Sequence, residues 1–229
     1  VRPTEIVARL PFITFEGSEG CGKSTQVKLL ADRLTVAGIP FLLSREPGGT
    51  PIGESIRELL QFAPQSAAMT PEAEVLLFEA SRAQVVHEIV KPALERGECV
   101  ILDRFFDSTT VYQGVARKLD QKFVRELNAF AVGDCIPDIT FVLDVDLETA
   151  KARMKGPRRA DRMEQQSAEF YERVRAGYMD LAKSESKRAV LINGSRPADE
   201  IANEIWEILT NRFPAVSSSS QSAIRNPKS

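Results

Sequence analysis

Gly17-Ser18-Glu19-Gly20-Cys21-Gly22-Lys23-Ser24 matches the G-x-x-x-x-G-K-[ST] pattern, and it lies between a short strand-like apolar run and a helix-like amphipathic stretch. That setting narrows the fold more than any other feature of the chain. Glycines let the backbone curl so that successive N–H groups converge on phosphate oxygens at a helix N-terminus. Lys23 can neutralise β/γ charge and the Ser24 hydroxyl can ligate Mg²⁺, so Gly17 to Ser24, with Thr25 following, is a candidate site for the phosphates of a nucleoside triphosphate. A chance glycine-rich turn containing Lys-Ser would lack the flanking strand and helix. Cys21 reads as a small-residue filler of the loop; the rival reading is a redox switch, because a helix N-terminus lowers thiol pKa.

Four further apolar runs follow the first, which is Phe12 to Phe15: Ile39 to Leu43, Cys99 to Leu102, Ile139 to Leu143 and Ala189 to Ile192. They are continuous rather than alternating, which predicts parallel strands covered on both faces. Helical patterns between them predict helices at about 23–37, 52–62, 71–96, 120–132, 147–155, 163–184 and 197–212. Thr70-Pro71 and Arg196-Pro197 read as helix starts, while Gly38 and Gly97 read as stops. The expected fold class is α/β: a doubly wound, five-stranded parallel sheet flanked by helices, with a short lid. Residues 1–10 read as an extension and 11–213 as one domain. From Pro214 to 229 the Ser-rich sequence lacks periodicity and is expected to be disordered.

At the end of the third strand, Asp103-Arg104 lies where ligands bind in open α/β sheets. Asp103 is a candidate Mg²⁺ ligand, through water, and Arg104 a two-pronged phosphate donor; the alternative is a mutual Asp-Arg surface pair. Strand two ends in Arg45-Glu46-Pro47-Gly48-Gly49-Thr50, a turn followed by Arg57, so that Arg57 and Arg104 can converge on one monophosphate. Phe78 and Arg82 share a helical face four residues apart. They can stack a base and touch its edge, although pattern alone favours core packing for Phe78 and a solvated Arg82. The segment Arg153-Met154-Lys155-Gly156-Pro157-Arg158-Arg159-Ala160-Asp161-Arg162 carries five arginine or lysine side chains, with Gly-Pro in its middle. It reads either as a solvated loop or as a lid, about 153–162, whose arginines close over a transferred phosphoryl group.

In that order, Phe15-Glu16-Gly17, Arg45 to Thr50, Phe78 to Arg82, Asp103-Arg104-Phe105 and Tyr112-Gln113-Gly114 closely resemble thymidylate kinase over about residues 11–213. The resemblance implies phosphorylation of dTMP to dTDP by ATP and Mg²⁺, for dTTP synthesis, on a five-stranded sheet that forms a homodimer through helices. It implies that Arg57 and Arg104 hold the dTMP phosphate and that Phe78 stacks on thymine. Arg82, Thr109 and Gln113 would meet the base edge and Tyr112 would crowd the sugar 2′ position. Glu16, Glu46 and Pro47 would border the acceptor phosphate and metal, and the Asn193 to Arg196 loop the adenine. Some members carry a P-loop arginine where this chain has Gly20; the chain resembles the bacterial type, with catalytic charge on Lys23, Arg104 and lid residues among Arg153, Arg158 and Arg159.

Composition leaves these readings room. With 30 basic and 32 acidic side chains and a formal net charge of −2, no global field recruits nucleic acid or an anionic membrane. Three scattered cysteines suit a reducing compartment, and no apolar stretch is long enough for a bilayer, so a cytoplasmic enzyme is expected. Another nucleoside monophosphate or deoxynucleoside kinase remains the alternative, followed by a P-loop regulatory NTPase, which the lack of an Asn-Lys-x-Asp motif disfavours.

Overall fold

The computed structural model describes residues 9–154, 162, 163 and 166–217. Its centre is a five-stranded, wholly parallel sheet: β1 Phe12–Glu16, β2 Phe41–Arg45, β3 Cys99–Asp103, β4 Ile139–Asp144 and β5 Ala189–Asn193, in the order β2-β3-β1-β4-β5. The register sets Phe15 level with both Asp103 and Phe141, and Arg45 level with Asp103. The polar strand ends therefore share one edge, where the functional side chains collect.

Alternation along the strands sorts the core into two layers. Ile13, Phe15, Ile101, Phe141 and Leu143 pack with Leu30 and Leu34 of α1 (Lys23–Val36) and with Ile201, Ile205 and Leu209 of α9 (Ala198–Arg212). Phe12, Val100 and Leu102 face the other way, onto Val86, Val90 and Ala93. Val142 meets Val174 and Tyr178 of α8 (Ala168–Ser184). Coverage of both faces holds for β1, β3 and β4 but not for the outer strands, where Leu43 and Leu191 are 45% and 44% exposed. Both lie at sheet edges, beyond the reach of the full helix layers. Strand β2 also starts two residues later than its apolar run, after Pro40.

Thr70 caps α3 (Pro71–Val85) ahead of Pro71, as the sequence predicts, and Thr50 caps α2 (Pro51–Gln61) in the same way without having been read as a start. The expected single helix over 71–96 is α3, a wide π turn at Val86–Val90 and α4 (Lys91–Glu95). Pro92 explains the widening, because its ring cannot donate and would crowd the preceding turn. Helix α6 (Gln121–Val132) is capped by Asp120, α7 (Leu147–Arg153) by Asp146, and α8 starts at Ser167, later than its pattern suggests. Two elements have no counterpart in the sequence reading: a 3-10 turn at Pro64–Ala68, and α5 (Phe106–Thr109) running into a π segment at Thr110–Ala116.

Helix α5 is tied to the sheet by a buried polar chain. Thr14 and Thr140 share a hydroxyl contact of 2.7 Å, and Arg188 donates to Asp107 at 2.7 and 2.8 Å and to Thr140 at 3.1 Å.

The expected boundary at Pro214 is four residues early. Residues 214–217 form another helical turn, and Val216, 1% exposed, joins the core layer of α9. Ala215 packs against the same layer beside it, so apolar contacts dock this turn; the rest of the expected tail, and the first eight residues, lie outside the described residues. Val216→Ala should lower unfolding free energy in urea by about 2 kcal/mol. Val36→Ala, at a position 90% exposed, should change it by no more than about 0.5 kcal/mol; equal effects would contradict the docking.

Candidate active site

Between β1 and α1 the loop takes left-handed backbone at Gly17, Gly20 and Gly22, with φ of 135°, 73° and 100°. A Cβ at Gly17 would lie 2.4 Å from the Leu143 carbonyl oxygen, and one at Gly20 2.4 Å from that of Ala150. Only glycine allows the loop to lie so close to β4 and α7. No side chain caps the start of α1, so its first N–H groups face the loop as anion donors. Lys23 is 6% exposed and donates to the carbonyls of Gly17 (3.0 Å) and Ser18 (2.8 Å). The Ser24 hydroxyl donates to Asp103 at 2.8 Å, which unites the two sequence-predicted metal ligands. An adjacent hydroxyl and carboxylate fit a Mg²⁺ ion that takes its other oxygens from phosphates and water.

Arg104 has φ 71°, an uncommon conformation for a residue other than glycine, and its N–H donates to the Phe15 carbonyl at 2.9 Å. Its guanidinium reaches Gly17 O (3.0 Å), Ser108 Oγ (3.1 Å), Tyr178 OH (3.2 Å) and Glu19 (2.6 Å), and lies 5.2 Å from the Tyr112 ring centroid. Arg104 pairs with Glu19 and Asp103 with Ser24, so the two do not form the mutual surface pair that was the alternative. The surrounding carboxylate and phenols hold Arg104 firmly protonated, against the opposing effect of burial.

Glu19, Pro47, Gln61, Phe78, Arg104 and Met163 wall a cleft of about 360 Å³, measured to its open mouth; Ser108, Thr109, Tyr112 and Gln113 complete it. Five residues assigned to the acceptor by resemblance thus share a wall with Arg104. Arg57 is not among the lining residues; half-buried, it donates to the carbonyl of Pro47, which is, at 2.9 Å. Glu19, assigned to ATP with the rest of its loop, reaches across to the acceptor side. A second cleft, about 500 Å³, is lined by Cys21, Gly22, Thr25, Gly194, Arg196 and Arg153, whose guanidinium donates to the Gly194 carbonyl at 2.9 Å. Arg153 therefore stands on the phosphate-loop side, while Arg158 and Arg159 lie outside the described residues.

Three charged residues are more deeply enclosed than their sequence patterns suggest. Glu16 is fully buried and accepts from the N–H groups of Phe105 (2.8 Å) and Ser108 (3.2 Å), the Ser108 hydroxyl (2.7 Å) and Tyr178 (2.8 Å). It thereby caps α5 from another strand. Burial and then the neighbouring Asp107 raise its pKa, against Arg104, Ser108 and Tyr178. Arg82 is 2% exposed, not solvated: it donates to Glu46 (2.8 Å), Glu79, Thr109 (2.9 Å) and the Phe105 carbonyl (3.3 Å). Its partners explain the burial, since a guanidinium enters the interior only with acceptors for its fork. Glu46 is pushed up to about 8 by burial, which outweighs its pairing with Arg82.

Ser108, Tyr178, Gln61, Met163, Glu74 and Glu79 were missed by the sequence reading. Glu79 had a signal, its i,i+3 spacing to Arg82, whereas Tyr178 and Met163 arrive from distant segments and had none.

Chain-wide comparisons show the family. The sequence pattern of the family described as "Thymidylate kinase" matches residues 15–205. A thymidylate kinase of Thermomicrobium roseum is 46% identical over 200 residues, covering 87% of this chain and 94% of the relative. One of Symbiobacterium thermophilum is 46% identical over 206 residues, covering 88% and 95%. The crystal structure of thymidylate kinase from Ehrlichia chaffeensis superposes with a TM-score of 0.71 at 37% identity, covering 88% of this chain and 99% of that one.

The buried Arg82 trio generates a pH prediction. One guanidinium between two carboxylates leaves a net negative charge in a dry site, and a proton on Glu46 relieves it. Because its folded pKa lies above 4.5, Glu46 contributes stability that is fully present below about pH 4.5 and is lost as pH rises through about 8. Urea unfolding of Glu46→Gln should lack a fall, on the order of 2 kcal/mol, that the unmodified protein shows between about pH 5 and 8.5. Parallel profiles would refute this.

Proposed function

The chain belongs to the thymidylate kinase family: its reaction is transfer of the γ-phosphoryl group of ATP to dTMP, and we propose that the two clefts divide that work between them. The cleft of Thr25, Arg153, Gly194 and Arg196 takes the adenosine end of ATP, and the loop N–H groups with Lys23 hold its β/γ phosphates. The cleft of Phe78, Arg104 and Tyr112 takes dTMP. Phe78 stacks on thymine, Thr109 and Gln113 meet its polar edge, and Arg82 supports that edge from behind. Arg104 and Arg57 hold the phosphate, and Tyr112 closes the sugar's 2′ side. Mg²⁺ at Ser24 and Asp103 would neutralise charge on the donor phosphates when bound.

No side-chain base is required, because the acceptor phosphate is already an anionic nucleophile. Positioning and charge neutralisation carry the rate. Arg158 and Arg159 are proposed to bring further positive charge to the transferred group. Glu16 and Glu46 shape the acceptor site from within the protein rather than touching substrate. The single observation that carries this reading is the meeting of Lys23 and Arg104 on the Gly17 carbonyl, at the ridge between the clefts.

We also propose a cytoplasmic homodimer. Ile52 on α2, Leu76 on α3 and Phe123 and Phe130 on α6 are 48–88% exposed, and α3 packs beside both α2 and α6. Among the described residues no helix is long and apolar enough to cross a membrane.

A coupled ADP-release assay across dTMP, dUMP, dCMP, dGMP and thymidine should show a clear preference for dTMP; preference for another acceptor would overturn the assignment of the cleft. Lys23→Ala and Arg104→Ala should each reduce turnover by about a hundredfold or more with unchanged circular dichroism. Near-normal turnover would remove the role given to either residue.

A further inference from the structure

Glu74 sits behind the acceptor cleft, 1% exposed, and is not one of its lining residues. It accepts from Gln113 Nε2 at 2.7 Å, from Arg117 Nε and Nη2 at 3.2 Å each, and from Arg162. Burial alone would raise its pKa; the Gln113 bond and the two arginines outweigh that and hold the carboxyl below its ordinary value. An ionised carboxylate can only accept. The amide of Gln113 must therefore turn its NH₂ toward Glu74, since the opposite orientation would set two buried acceptors against each other.

Gln113, itself 1% exposed, lines the cleft. Because Glu74 holds the nitrogen end through one of its two protons, the carbonyl oxygen is the end of the amide turned away from the carboxylate and left for a ligand. Thr109 obeys the converse logic: its hydroxyl oxygen accepts from Arg82 Nη1 at 2.9 Å, a group that can only donate, so its own proton is left to the cleft. Thymine presents an N3–H donor beside a C4 carbonyl acceptor. A 4-aminopyrimidine presents the reverse at both positions.

We propose that Glu74 is a positioning residue that makes this kinase choose an imide base over a 4-amino base, by holding the Gln113 carbonyl toward the nucleobase. The proposal rests on the reading that Gln113 meets the base. It places the source of discrimination one residue behind the cleft wall, in a charge that never touches substrate, and it uses mismatch as much as match.

The discriminating probe is 5-methyl-dCMP, which keeps the thymine methyl group and differs from dTMP only at ring positions 3 and 4. The unmodified enzyme should strongly prefer dTMP in kcat/KM. In Glu74→Gln the new amide can donate or accept, which frees Gln113 to turn. The dTMP to 5-methyl-dCMP ratio should fall by about tenfold or more, mainly through KM. A merely structural role would lower both substrates in parallel and leave the ratio unchanged. Arg117→Met removes an ion pair from the same carboxylate but leaves the Gln113 bond, and should keep the ratio. Gln113→Leu separates the two levels of the argument. An unchanged ratio there would show that Gln113 does not meet the base; a collapsed ratio with Glu74→Gln unaffected would overturn the role of Glu74 alone. If Glu74→Gln does not fold, the side-chain amide protons of Gln113 in the unmodified enzyme carry the test by ¹⁵N NMR. They should remain protected from solvent exchange when dTMP binds, and rapid exchange would overturn the proposal.

Discussion

One carbonyl oxygen, that of Gly17, accepts from both Lys23 and Arg104 at 3.0 Å. Two cations converging on one acceptor repel by an amount on the order of a few kcal/mol in a partly dry site, so the arrangement demands anions around it. Glu19 supplies one from the protein, at 2.6 Å from Arg104. The phosphates of two nucleotides are chemically suited to supply the others. The same carbonyl can lie there only because Gly17 has no side chain: a Cβ would strike the β4 backbone. The ridge between the clefts is thus fixed by a glycine, and the two cations are held by the ridge.

Keeping Arg104 at that ridge requires a left-handed residue directly after β3, at a cost of about 1–2 kcal/mol. Glu16 offsets it. From the neighbouring strand it accepts both N–H groups of the turn that follows and ties in the hydroxyls of Ser108 and Tyr178. A carboxylate that would serve as a metal ligand on an open edge serves here as an internal cap. The Arg188–Asp107 pair performs the same task one residue further on, joining α5 to the sheet from below. Strain at the site is carried by Glu16, Asp107 and Arg188, none of which lines either cleft.

These buried roles explain where sequence legibility ended. The phosphate loop, the strand ends and the proline-led start at Thr70 are local events, and local residues announce them. Residues 106–116 were illegible as helix because Phe-Asp-Ser-Thr-Thr-Val-Tyr-Gln-Gly is poor in helix formers. Tertiary contacts overrule propensity there: Glu16 caps the start, and Gly177 lets α8 approach so closely that a Cβ would lie 3.1 Å from Val111. Glu46 and Arg82 carry the right residue types for a site, but nothing in their spacing reveals that each buries the other. Glu19 belongs by position to the donor loop and by side chain to the acceptor.

The wide turn at Thr110–Ala116 connects these observations. A π segment is less favourable than α-helix and persists where surrounding contacts fix both of its ends. Tyr112 is fixed by the cation of Arg104 against its ring, at the phosphate end of the cleft. Gln113, the next residue, is fixed by Glu74 on the other side. In a regular helix, neighbours point about 100° apart and the chain would continue past both on a uniform spiral. The extra residue per turn lets the Arg117 N–H reach back to the Tyr112 carbonyl at 2.9 Å, while the Arg117 side chain joins the same carboxylate that holds Gln113. The irregularity therefore joins the Arg104 contact of Tyr112 to the Glu74 contact of Gln113 in two consecutive residues, so loosening one end of the turn is expected to reach the other.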